Sequence, residues 1–309
     1  MSATTPSTKT RVRGARADAK PSFGTVTLTH AERVVFAEGY TKRDVAAYYA
    51  AVMPQFLAGV AKRPLSIVRC PDGTAGACFF QKHALAGLKR VREVALREES
   101  GVVDSYLYVA DADGVFELVQ FNAIEFHPWA AKVRDPERTD YIVFDLDPGP
   151  GVDWPRVVAA AELVRAAAAD EGLESFVRTS GGKGLHVVIP LNPAAPWERA
   201  KAFAHALAAN VAEERPREFV AVASKAKRRG RIFIDYLRNT RGATSIASYS
   251  LRARPGAPVA FPLSWRDLRR IRSAAEFTLA DVPARLARRR RDPWEGFATL
   301  RQSLPKAAK

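Results

Sequence analysis

Cysteine is almost missing from this 309-residue sequence, which has only Cys70 and Cys78. A secreted scaffold stapled by disulfides is therefore excluded, and the pair reads as two structural thiols in a reduced, cytosolic chain. A zinc site built on Cys70, Cys78 and His83 lacks a nearby fourth ligand and the paired spacing of zinc ribbons. No secretory signal and no apolar run long enough to span a bilayer is present, so no membrane role is expected. Internal repeats and coiled-coil heptads are missing as well. Acids are in short supply: 33 Asp plus Glu face 48 Lys plus Arg, a formal charge of +15 with a pI near 10.1. That excess favours a polyanionic partner, because each neutralised phosphate releases condensed counterions. A solvated basic surface would give the same totals, so charge alone does not decide.

What is present is enough apolar material, 47% of residues, to bury a sizeable core. Residues 1–22 hold almost nothing apolar and read as a disordered basic tail. A helix is predicted over about 41–58, with Thr41 as N-cap and Asp44 three residues on. Its core face carries Val45, Tyr48, Tyr49, Val52 and Phe56. Short β-like runs follow at Pro64–Cys70, Tyr106–Ala110 and Val115–Gln120. The pattern then becomes βαβ-like. A strand at Tyr141–Asp147 is followed by an Ala-rich helix to about Asp170 and a hairpin of Ser175–Thr179 with Leu185–Pro190. A helix over 197–214 and a strand at Arg231–Leu237 come next, then a Pro-rich stretch over 255–262 and basic helices. The sum is a mixed α/β (α+β) chain, one catalytic domain over 23–295 with an N-terminal α/β annex, and a C-terminal tail over 296–309.

Three elements carry chemistry. In Phe144-Asp145-Leu146-Asp147-Pro148-Gly149, alternation along a strand points both acids one way, about 7 Å apart. Such a pair tolerates itself only in water or around cations, and hard divalent metals with oxygen ligands are the natural partners. A polar strand end would look the same. The second element, Arg231-Ile232-Phe233-Ile234-Asp235-Tyr236-Leu237, places one acid in an apolar run, expensive unless paired or metal-bound. Asp235 either completes a two-metal site for in-line attack on phosphate or pairs with Arg231 or Arg238. Third is Ser180-Gly181-Gly182-Lys183-Gly184-Leu185-His186 between two strands. Its glycines can turn backbone N–H groups toward an anion, with Ser180, Lys183 and His186 as added donors, a cradle for a triphosphate. The alternative is an ordinary hairpin turn. The G-x-x-x-x-G-K-S/T spacing of a P-loop is missing.

Basic residues at Lys225, Lys227, Arg228, Arg229 and Arg231, and again at Arg285 and Arg288–Arg291, flank these elements. In Phe79-Phe80, alternation should send one ring into the core and leave its neighbour free to stack on a base.

Taken with Leu28-Thr29-His30, Thr41-Lys42, Arg69-Cys70-Pro71-Asp72-Gly73, Phe79-Phe80-Gln81-Lys82-His83, Glu125-Phe126-His127-Pro128-Trp129, Ile234–Asn239 and Tyr249–Arg254, these elements form a colinear series from about residue 25 to 270. The series resembles the polymerase domain of bacterial ligase D, in the archaeo-eukaryotic primase superfamily. The resemblance implies a primase-polymerase fold with an RRM-like catalytic sheet. It also implies a DNA-directed nucleotidyltransferase that fills gaps and extends ends at DNA breaks in non-homologous end joining, in the cytoplasm at the nucleoid. Carried over, Asp145, Asp147 and Asp235 would hold two Mn²⁺ or Mg²⁺ ions. Phe79, Phe80, His127, Ser180, Gly181, Gly182, Lys183, Gly184, His186, Arg238 and Arg252 would contact a nucleoside triphosphate. Lys42, and Arg33 where the family often has Lys, would grip the 5′-phosphate of a gapped duplex. A planar Arg fork need not reproduce a Lys contact.

The ligase motif K-x-D-G does not occur, so the chain is expected to be a stand-alone or excised polymerase that relies on Ku and a separate ATP-dependent ligase. Three rivals remain open. A metal-dependent glycosyltransferase explains Asp145 and Asp147 but neither Asp235 nor the charge. A non-catalytic nucleic-acid-binding module explains the charge but not the acids. A metal-dependent nuclease also fits the acids.

Overall fold

A computed structural model describes residues 21–83, 86–98 and 100–306. The expected basic tail lies outside these residues except for its end: Pro21 accepts a hydrogen bond from the Leu28 N–H, and Ser22 opens the first strand. That strand, β1 (Ser22–Phe23), pairs with β2 (Val26–Thr27). Helix α1 (Lys42–Val60) starts where its caps dictate. The Thr41 side chain accepts from the Asp44 N–H while the Asp44 carboxylate accepts from the Thr41 N–H. All five residues of the predicted core face are buried.

Beyond α1, β3 (Leu65–Arg69) is flanked by β4 (Phe79–Gln81) and β7 (Ala123–Pro128), both antiparallel to it. Between them come a hairpin, β5 (Arg92–Arg97) with β6 (Val103–Tyr108), and helix α2 (Ala112–Gln120). The β-like reading of Val115–Gln120 is therefore wrong. Asp111 caps a helix there, accepting from the Gly114 N–H. Val115, Leu118 and Val119 fall on one buried helical face, and that tertiary burial overrides β-branched propensity. The thiol reading fails too: Cys70 and Cys78 form a disulfide, brought within 4.3 Å (Cα–Cα) by the turn after β3.

The larger unit is a six-stranded sheet in the order β11-β12-β8-β10-β9-β13. Its central pair is β8 (Arg138–Pro148) with β10 (Leu185–Pro196), antiparallel; β9 (Phe176–Thr179) makes the predicted hairpin with β10. On the other side lie β12 (Ile232–Asp235) and the short parallel β11 (Phe219–Val220), and β13 (Pro262–Leu263) closes the far edge. The strand expected through Leu237 stops at Asp235, and Leu237–Asn239 turn into a 3₁₀ helix. Helices α3 (Trp154–Asp170) and α4 (Trp197–Glu214) cover one face. There Ile142, Phe144, Leu146, Val187 and Ile189 meet Val157, Ala161, Ala204 and Leu207. Alternation sends Tyr141, Val143 and Val188 to the other face, into a second cluster with Trp129 and Trp197.

Two short C-terminal helices, α5 (Trp265–Leu268) and α6 (Val282–Arg288), precede a strap whose Trp294 and Phe297 pack on that second cluster. Farther on, Gln302 bonds Glu174 and Pro190, and Leu304 is buried. One core runs from α1 through β7 to the large sheet, tied by Tyr48 to the Tyr249 carbonyl and Tyr49 to the Ile124 carbonyl. Among the described residues no helix is long and apolar enough to cross a membrane.

Candidate active site

One row of polar side chains crosses the large sheet. In the strand register Asp235 stands opposite Asp145, Asp145 opposite His186, and His186 opposite Arg178. Directly paired residues share a face, so four neighbouring strands set these groups side by side, away from α3 and α4. Asp147 follows two residues on, opposite Phe233. One carboxylate oxygen from each of Asp145, Asp147 and Asp235 falls within 4.8 Å of the others. Sequence alternation predicted the first two; the β8–β12 pairing supplies the third.

Cations ring this cluster without neutralising it. Arg238 Nε lies 3.5 Å from Asp145 and 3.3 Å from Asp235. Asp235 is thus both a member of the acid cluster and paired with Arg238, while Arg231 turns to the Pro216 carbonyl. Arg228 stacks over the Phe233 ring at 4.0 Å and reaches Asp147 at 3.6 Å. Burial alone would raise the Asp145 carboxyl, but His186, Arg238 and Arg252 together bring it below the usual range. Asp147 moves the opposite way, raised by burial and by the charges of Asp145 and Asp235. Asp235 is raised too, first by burial. Three crowded hard oxygen donors whose repulsion a cation would relieve fit a divalent metal.

The loop between β9 and β10 borders these acids. Ser180 N–H donates to the Gly184 carbonyl, and the Ser180 hydroxyl oxygen accepts from the N–H groups of Gly182 and Gly184. That leaves the hydroxyl proton free to donate outward. A Cβ on Gly184 would lie 2.1 Å from the Leu146 carbonyl oxygen, so only glycine lets the loop pass this close to β8. Gly181 sits at φ +64°, against Arg252. Lys183 is exposed at the loop tip, and His186 is buried with its Nε2 3.3 Å from Asp145 Oδ1.

Arg252 connects the loop to the N-terminal sheet, donating to the Ser180 carbonyl at 2.7 Å and pairing with Glu125 at 3.0 Å. Glu125 also accepts from the Ala253 N–H and bonds His127 Nε2 at 2.8 Å. Burial opposes its ionisation, yet the bond to His127 and the Arg252 charge bring it down to about 2. His127 is lowered, chiefly by burial. The Phe80 ring lies 5.5 Å from His127. Both Phe79 and Phe80 are exposed, at 55% and 61%, contrary to the expectation that one enters the core. Their strand is a three-residue edge of the small sheet, and among the described residues neither of its faces is fully covered there.

Lys42 and Arg33 lie apart from this row, at the start of α1. Lys42 is buried and donates to the Gln120 carbonyl, and Arg33 donates to the Pro71 carbonyl. Burial, and then the nearby Arg33 charge, lower the Lys42 ammonium pKa.

Sequence reasoning missed several contributors. Glu125, Arg228 and Arg178 act through contacts made only on folding. Asn239 is another: its side-chain amide accepts from the Val143 N–H and donates to the Val143 carbonyl, both at 2.8 Å. It continues the β8 edge where β12 has ended and anchors the turn that carries Arg238. The asparagine was visible in its motif, but nothing in the sequence indicated its partner.

Comparison with known proteins gives the family of the chain. The family model described as "LigD, primase-polymerase domain" matches residues 41–294. The multifunctional non-homologous end joining protein LigD of Pseudomonas aeruginosa is 36% identical over 91% of this chain and 34% of its own length. Its Mycobacterium tuberculosis counterpart is 35% identical over 79% of this chain and 33% of its own length. The chain thus spans about a third of the length of these relatives. Among solved structures, the polymerase domain of Mycobacterium tuberculosis ligase D in complex with DNA superposes with a TM-score of 0.81. It is 32% identical, and the match covers 88% of this chain and 97% of that one. The chain belongs to the LigD primase-polymerase domain family and is a nucleotidyltransferase of that class.

Proposed function

We propose that this protein adds nucleotides to a primer 3′-hydroxyl on a DNA template, filling gaps and extending ends at breaks repaired by non-homologous end joining. The observation that carries the reading is the meeting of Asp145, Asp147 and Asp235 beside the Ser180–Gly184 loop. When bound there, two divalent ions, Mn²⁺ or Mg²⁺, would supply Lewis-acid activation of the hydroxyl and neutralise charge on the α-phosphate and departing pyrophosphate. The protein's own groups do the rest. The Ser180 hydroxyl proton, the exposed Lys183 and the half-exposed Arg238 offer donors to the triphosphate. His186, Arg252 and His127 line the same side, with Gly181, Gly182 and Gly184 allowing the close approach of the backbone. Phe79 and Phe80 provide apolar rings for a base to stack on.

A 5′-phosphate is the ligand we assign to Lys42 and Arg33. Each retains N–H groups beyond its one carbonyl bond, and a dianion between them would relieve the mutual repulsion of the two cations. Ku and a separate ATP-dependent ligase are the proposed partners in completing repair.

The test is extension of a labelled gapped duplex with Mn²⁺ or Mg²⁺ and each nucleotide type. Growth of the primer supports the reading. Shortening would point to a nuclease, and binding without change to a non-catalytic module. Asp145→Ala should abolish growth while leaving DNA binding within about threefold, since phosphate contacts dominate affinity.

A further inference from the structure

At the end of the polar row, Arg178 has an unusual environment. It is 4% exposed, and among the described residues no carboxylate lies within ion-pair distance of it. Its guanidinium puts two donors on one atom: Nε lies 3.3 Å and Nη2 3.2 Å from His186 Nδ1. Nη2 also donates to Ser245 Oγ and Nη1 to Ser248 Oγ, each at 3.2 Å, and the cation rests over the Trp294 ring at 5.6 Å. Burying an arginine without a carboxylate is expensive, and an apolar side chain would fill a tryptophan-lined site at less cost. No ion pair offsets that cost; the hydrogen bonds, the ring contact and the field of Asp145 two strands away offset part of it.

An arginine has donors and no acceptor, so the imidazole nitrogen it faces must accept. His186 Nδ1 therefore carries the lone pair and Nε2 carries the hydrogen. That Nε2–H points to Asp145 Oδ1, 3.3 Å away. We propose that Arg178 is a positioning residue for nucleotidyl transfer, fixing His186 as the Nε2–H tautomer so that the ring presents a donor, not a lone pair, to Asp145 and the triphosphate side of the site. With a lone pair there instead, the imidazole would repel the Asp145 oxygens and any phosphate oxygen, and it would compete with the carboxylates for a cation. Ser245 and Ser248, both buried, hold the guanidinium in the plane this requires.

The inference rests on the polymerase reading, but part of its test does not. Long-range ¹H–¹⁵N correlation spectra of the histidine-labelled protein distinguish the two ring nitrogens. The chain has five histidines, and the signal lost in His186→Gln gives the assignment. Wild type should show an unprotonated Nδ1 and a protonated Nε2. Arg178→Met should raise the fraction of rings that carry a hydrogen on Nδ1, because the Asp145 contact is then the remaining restraint on the tautomer. In primer extension the same variant should lose roughly 10- to 100-fold in kcat, the usual effect of losing an outer-shell orienting group, with nucleotide KM changed less than about threefold. Arg178→Lys, which keeps a cationic donor, should recover most of the loss.

If Arg178→Met does not fold, Ser245→Ala with Ser248→Ala replaces it, and a partial shift of the His186 signals with a smaller kcat loss is expected. An unchanged tautomer in a folded variant, or Lys no better than Met at equal thermal stability, would overturn the proposal. Failure of the wild type to extend any primer would instead overturn the polymerase reading, leaving the tautomer measurement to stand by itself.

Discussion

Asp235 stands directly opposite Asp145 in the antiparallel pairing of β12 with β8, so two acids remote in sequence project from adjacent strands onto one face. Within an apolar sheet such a pair is unfavourable by itself. Arg238 bridges the two at 3.5 and 3.3 Å but remains partly exposed, so the arrangement stays strained in charge and receptive to cations.

That strain gives a first prediction. Asp147 is raised by burial and by its two acidic neighbours. Asp147→Asn should therefore raise the melting temperature of the metal-free protein by a few degrees and abolish extension. Adding Mn²⁺ should stabilise the wild type more than the variant. Calorimetry with and without the ion checks the two stability outcomes and a primer-extension assay the third; a variant that melts earlier than wild type without metal would contradict the repulsion argument.

Backbone proximity gives a second. Gly184→Ala places a Cβ 2.1 Å from the Leu146 carbonyl oxygen, which is backbone of the central strand and cannot step aside. Destabilisation of about 2 kcal/mol or more is expected, together with displacement of the loop from the acids. Chemical denaturation and extension rates should both fall. An unchanged denaturation midpoint would show that the loop can move freely.

Glu125 sets an acid limit. Its carboxyl is lowered from 4.5 to about 2, burial being outweighed by His127, Arg252 and the Ala253 N–H. A group depressed on folding stabilises fully above its unfolded value and loses that contribution as pH falls toward its folded one. Glu125→Gln should therefore be less stable at neutral pH, by on the order of 3 kcal/mol. The gap to wild type should narrow between about pH 4.5 and 2. Urea unfolding at a series of pH values measures the gap; a constant difference across that range would refute the assignment.

Phe80 separates binding from folding. At 61% exposure, with His127 as its ring neighbour, it contributes little to the core. Phe80→Ala should leave stability within about 0.5 kcal/mol. Affinity for gapped DNA or nucleotide should fall by about 1–3 kcal/mol, the usual worth of a base–aromatic stack. Unchanged binding with lowered stability would return Phe80 to a packing role.

Local rules worked where the information was local. Period-3.6 apolar spacing and a capping pair placed α1, and alternation placed Asp145 and Asp147 on one face, because both depend on residues within a few positions. The same rules failed at Val115–Gln120, where an apolar run is equally compatible with strand and helix until Asp111 and the surrounding core decide. They failed again at Phe79 and Phe80, because whether a strand face is covered depends on what packs over it.

The sequence by itself determined the chemistry on offer: three acids in apolar strands, a glycine-rich turn with Lys and His, a basic surface and the colinear motifs of one family. Only the tertiary structure decided how they work together. Strand register, a property of pairing between distant segments, set Asp235, Asp145, His186 and Arg178 in one row. It also gave roles to residues with no motif of their own. Arg178 meets a histidine where a carboxylate would be expected, and Glu125 meets Arg252, because folding brings them to the same buried place and burial makes each polar contact obligatory.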